Sequence, residues 1–138
     1  MQTDRDRDGQ IVAVVRAWHD ALNDGAADRL AALSHDDIEV GGPRGTDRGV
    51  ATLRAWAARS GVRLEPGRAF ARDRVVVVAQ RATWRAPDTG QPGEPHEVAS
   101  AFHVDAGRIH RVVRYADLAA ALLAADLTEA DELPLPES

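Results

Sequence analysis

The chain has 138 residues, 44% of them hydrophobic and 28% charged, with a net charge of −5 and no cysteine. That composition fits one soluble domain with a sizeable core, excludes disulfide and thiolate chemistry, and leaves no apolar run near the ~20 residues of a membrane span. All 17 basic residues are arginine, and they are interleaved with acids rather than gathered in a stripe, which argues against a nucleic-acid surface. The opening MQTDRDRDGQ lacks the apolar core of a signal peptide, so a cytoplasmic location is expected.

Residues 1–9 alternate Asp and Arg with nothing to bury and read as a disordered arm. From Gln10 to Asn23, apolar residues at three- and four-residue spacing, including Val14, Trp18 and Leu22, predict an amphipathic helix that Asn23, Asp24 and Gly25 end. A shorter helix is predicted from Ala27 to Ser34, followed by a brief strand from Ile38 to Val40 that the GGPRG segment breaks. A third helix spans Val50 to Ser60, with Leu53 and Trp56 on one side and Gly61 at its end. Beyond it the period becomes extended. Val62–Pro66 and Arg68–Ala71 read as one interrupted strand and Arg74–Arg85 as a long one whose Val76, Val78, Gln80, Ala82 and Trp84 share a face. Pro87 to Pro95 is a proline-rich surface loop.

Glu97 to Leu123 then reads as strand, tight turn, strand and closing helix. A three-residue loop, Asp105-Ala106-Gly107, would pair Phe102 with His110, Ser100 with Val112 and Val98 with Arg114. It would turn Ala99, Ala101, His103, Ile109, Val113 and Tyr115 to the opposite face. Left bare, that face would form an apolar patch suited to a homodimer. Asp117 is the N-cap of the closing helix, Leu118–Ala125, and residues 128–138 read as a disordered acidic tail.

Three helices, a meander of long strands and a short helix make an α+β domain in which N-terminal helices cover a strongly curved antiparallel sheet. The first helix ending ALNDG, the Ser-His-Asp-Asp turn, the GPRG…RG loop and the DAGRIHRVVRYADLAAAL ending together resemble the nuclear transport factor 2-like superfamily, in its SnoaL-like branch related to polyketide cyclases and ketosteroid isomerases. The resemblance covers residues 10–127 and implies a cone-shaped, cystatin-like roll with a hollow. It also implies departures. The isomerase tyrosine that donates to an oxyanion falls on Trp18, the general-base carboxylate on Gly42 and the protonated aspartate on Ser100, so the acids of that reaction are missing. The late-strand acid of the cyclases falls on Arg114, which cannot exchange protons near neutral pH but can anchor an anion.

The resemblance turns Trp18, Trp56 and Trp84 toward the hollow, where they serve either as core or as pocket walls. Ser100, Phe102, Val112 and Arg114 share the hairpin face that closes it, with Gly42 and Arg44 at the rim. Arg114 either contacts a ligand or makes an ion pair with an acid such as Glu39 or Asp37. His110 is expected on the same face about 13 Å away, as a hydrogen-bonded structural residue or a proton carrier. The histidines are scattered, so no metal is expected, and no cofactor motif is present. Two functions remain open. One is a small-molecule enzyme of cyclase, isomerase or hydrolase type, with Arg114 stabilising an oxyanion and His110 or a water moving the proton. The other is a non-catalytic ligand-binding or assembly module.

Overall fold

The computed structural model describes residues 2–42, 45–85, 89, 91 and 93–136, with side chains from Asp6 onward. The order is α1 (Gln2–Asn23), α2 (Ala27–Ala32), β1 (Ser34–Gly42), β2 (Gly45–Arg48), α3 (Val50–Ser60), β3 (Arg63–Arg72), β4 (Val75–Thr83), β5 (His96–Asp105), β6 (Arg108–Tyr115), α4 (Leu118–Ala125) and β7 (Glu132–Leu133). The strands form one curved sheet in the order β2-β1-β6-β5-β4-β3-β7. It is mixed rather than purely antiparallel, because β1 runs parallel to β6. The expected α+β cone is present.

The main core lies between α1–α3 and one sheet face, where Val15, Trp18, Leu30 and Leu53 meet Val76, Val78, Phe102, Ile109 and Val112. Asn23 fastens the end of α1 to β3 by two hydrogen bonds, from its Nδ2 to the Leu64 carbonyl at 2.8 Å and from the Leu64 N–H to its Oδ1 at 2.9 Å. A smaller core lies on the opposite face, where Ala121 and Leu127 cover Phe70, Val77, Ala99 and Ala101. Helix α4 therefore covers much of the face that the sequence leaves bare, and the apolar patch expected to drive a homodimer is largely used within one copy.

Several boundaries depart from the sequence expectation. Helix α1 runs from Gln2, so the Asp/Arg stretch expected as an arm forms its first turns; alternating charge is compatible with a solvated helix. Strand β1 is nine residues long because its polar positions Asp36 and Asp37 face solvent while only Ser34 and Ile38 are buried. It continues past Val40 to pair Gly42 with Gly45 of β2. The tail is also built in. Thr128 and Asp131 form a capping box around a 3₁₀ turn, Leu133 pairs with Ala69 of β3, and Arg68 pairs with Glu129 and Glu132.

The β5–β6 hairpin turns on two residues rather than three. Ala106 (φ 51°) and Gly107 (φ 76°) are both left-handed, and Asp105 pairs with Arg108, the geometry that matches strand twist. A bulge on β6, where His110 is the extra residue between Ile109 (opposite Val104) and Arg111 (opposite His103), moves the later register one step further, so Ser100 faces Arg114 and Phe102 faces Val112. The two steps add to a shift of two residues, which preserves the face of Ser100, Phe102, Val112 and Arg114. Between turn and bulge the parity is reversed. Ile109 consequently enters the main core, opposite Val104, instead of pointing outward.

Candidate functional site

A pocket of about 430 Å³ opens between the helices and the main-core face of the sheet. Trp18 from α1 and Trp56 and Arg59 from α3 form one wall, Val62 and Leu64 the next, and Ser100, Phe102, Val112 and Arg114 the sheet wall. Residues Val40 to Gly42, with Gly45 and Asp47, form the remaining edge. The hairpin pairing explains the sheet wall: consecutive same-face positions on two antiparallel strands point into the hollow. Gly42 lies beside Arg114, since a Cβ on Gly42 would stand 4.0 Å from the Arg114 Cβ.

Of the residues singled out in the sequence, Trp18, Trp56, Ser100, Phe102, Val112, Arg114 and Gly42 come together here. Trp84 stands outside the lining but supports it, its ring 5.6 Å from the Arg114 guanidinium carbon, within cation–π range. Arg44 lies outside the described residues. His110 is not in the pocket. At the hairpin bulge its ring packs edge-on against His35 and His103, at 6.0 and 5.8 Å, on the outside of the sheet. Burial, reinforced by the nearby Arg111 and His110, pushes the His103 pKa below its ordinary value. The single-residue bulge is the reason His110 and Arg114 part company.

Arg114 has no carboxylate partner among the described residues. The acid nearest in expectation, Glu39, is held instead by Arg48 at 2.9 Å and Arg111 at 2.8 Å. Among the described residues Asp47, on β2 opposite Val40, is the one acid in the pocket lining, and it makes no ion pair. Another cleft, about 570 Å³, lies along α1 and β3 but is lined mostly by charged side chains, and two of its arginines are already paired, Arg16 with Asp20 and Arg63 with Glu65.

Behind the sheet wall runs a buried polar chain. The Ser100 hydroxyl donates to Gln80 Oε1 at 2.8 Å. Gln80 Nε2 donates to His19 Nε2 at 2.9 Å, and His19 Nδ1–H donates to the Val15 carbonyl at 2.8 Å. His19 is fully buried against Trp18 and Phe102, with ring centroids 5.7 and 5.3 Å away. Burial lowers its pKa from the ordinary 6.5 to about 4, so the ring is neutral at pH 7. The Trp18 indole N–H is buried with no acceptor among the described residues. His19, Asp47 and Arg59 escape the sequence reading. His19 had a visible signal, since it follows Val12 by seven and Val15 by four, which puts a polar ring on the buried stripe of α1.

The profile of the SnoaL-like domain family matches residues 15–112. No curated protein matches the chain in sequence. Among solved structures, a nuclear transport factor 2-like protein of Burkholderia xenovorans LB400 is 28% identical, with a TM-score of 0.65 over 84% of this chain and 95% of that one. An LEH-like epoxide hydrolase of M. tuberculosis is 22% identical, with a TM-score of 0.69 over 87% and 97% of the two chains. TerC, co-crystallised with polyporic acid, is 18% identical, with a TM-score of 0.69 over 80% and 94%. The order of elements, the hollow and the match over most of the domain lead to one assignment: this chain belongs to the SnoaL-like domain family of the nuclear transport factor 2-like superfamily.

Proposed function

We propose that the pocket binds a small, largely apolar molecule carrying one anionic or strongly accepting group, in the service of small-molecule metabolism. The observation that carries this reading is Arg114: a guanidinium stacked on Trp84 in the sheet wall beside Phe102 and Val112, with no protein carboxylate to neutralise it among the described residues. A cation in such surroundings is stabilised by an anion, and Arg offers a planar fork for a carboxylate or enolate oxygen. The volume is in the range of small-ligand sites. That TerC, of the same fold, was crystallised with polyporic acid supports a small organic occupant.

A catalytic version of the reading is favoured by Asp47, the one acid in the lining among the described residues. With Arg114 stabilising oxyanion charge, Asp47 would move the proton in a cofactor-independent reaction of cyclase, isomerase or hydrolase type. Asp47 takes the role that sequence reasoning gave to His110. Native mass spectrometry of the purified protein tests the binding claim. The expected result is a bound acidic or enolic molecule that Arg114→Leu loses. A retained molecule in that variant would place the binding site elsewhere.

A further inference from the structure

Ser100 occupies the position where the isomerase-like pattern would place a protonated acid, a donor toward the ligand. Here its hydrogen-bond polarity runs the other way. The Val15 carbonyl can only accept, so the neutral His19 ring carries its proton on Nδ1 and presents a lone pair at Nε2. Gln80 must meet that lone pair with its NH₂, which turns its Oε1 toward Ser100. The only proton of the Ser100 hydroxyl is used on that oxygen. Both partners of Ser100 in this chain are buried, Gln80 and His19 almost completely, so water does not compete for the arrangement.

We infer that Ser100 faces the pocket purely as an acceptor and that Gln80 and His19 are the positioning residues that fix it so. The pocket therefore selects a ligand bearing a hydroxyl or N–H donor near its anionic or accepting group. Ser100 and Arg114 are directly opposed on neighbouring strands, so the two ligand groups lie on the same edge of one molecule. Aromatic hydroxy acids and enolic dicarbonyls have that pairing, whereas a simple apolar acid lacks the donor. This specificity rests on the proposed binding role of Arg114 and goes beyond it, because it concerns the other half of the ligand's polar edge.

Calorimetric titration with 2-naphthoic, 4-hydroxy-2-naphthoic and 4-methoxy-2-naphthoic acids, whose two polar groups share one ring edge, separates the two claims. The hydroxy acid is expected to bind roughly ten-fold tighter than its methyl ether, the ordinary worth of one hydrogen bond in a dry site. Ser100→Ala should bring that ratio close to one. Gln80→Leu, which frees the hydroxyl to donate to the ether oxygen as well as accept, should narrow it. Gln80→Glu should restore the preference, because a carboxylate paired with a protonated His19 still accepts from Ser100. Thermal melts establish that each variant is folded. Equal binding of the hydroxy and methoxy acids, or tighter binding of the ether, overturns the acceptor role while leaving the Arg114 site intact. Failure of all three acids to bind overturns both.

Discussion

The buried His19 makes stability depend on pH in a calculable way. In the unfolded chain its ring titrates near 6.5, and in the fold near 4. Between these values the folded state binds fewer protons than the unfolded state, so acidification favours unfolding. The contribution is fully present above pH 6.5 and is lost as pH falls toward 4. That gap is a factor of roughly 300 in proton affinity, or about 3 kcal/mol. It is a large share of the 5–15 kcal/mol typical of a domain. Other groups also titrate in this range, so the test is a difference. Urea unfolding is followed from pH 7 to pH 4 for the wild type and for His19→Asn, whose amide can keep the bond to the Val15 carbonyl without a titrating ring. The wild type should lose about 3 kcal/mol more than the variant across that range. Equal losses would mean that the fold does not hold the His19 ring neutral below pH 6.5, contradicting the burial assigned to it.

Two further predictions concern the backbone. Ala106 holds a left-handed conformation beside Gly107, so Ala106→Asn, which creates an Asn-Gly turn, should stabilise the protein by roughly 1 kcal/mol in a thermal or urea melt; destabilisation would contradict the two-residue turn. Removal of residues 128–138 should cost roughly 2 to 3 kcal/mol, chiefly the burial of Leu133 in the main core, and an unchanged melting temperature would return that segment to the status of a free tail.

Face assignments were legible in the sequence where strand parity governs them. Ser100, Phe102, Val112 and Arg114 share the pocket wall although the turn and the bulge both differ from expectation, because two single-residue shifts restore parity. His110 and Ile109 lie between those shifts, and a bulge has no dependable signature in side-chain alternation. Gln80 could be placed on the inward face of β4 from its alternation with Val76, Val78 and Ala82. Its partner could not be named, since the contact joins residues 61 apart in sequence through the packing of α1 on the sheet. The closing helix was predicted but its docking site was not, because α4 is apolar around much of its circumference and Leu123 remains 84% exposed. Glu39 was a reasonable partner for Arg114 by proximity in the fold, but the parallel pairing of β1 with β6 puts it opposite Arg111 instead.

The central claim is that Arg114 is a ligand-binding cation and not half of a structural ion pair. The most direct measurement is a paired melt and 2-naphthoate titration of Arg114→Leu. A guanidinium without a protein carboxylate strands no acid when it is removed, so the variant should melt within about 1 kcal/mol of the wild type, or higher, while anion binding is abolished. A loss of roughly 3 to 5 kcal/mol, the usual cost of breaking a buried pair, together with retained 2-naphthoate affinity, would contradict the account.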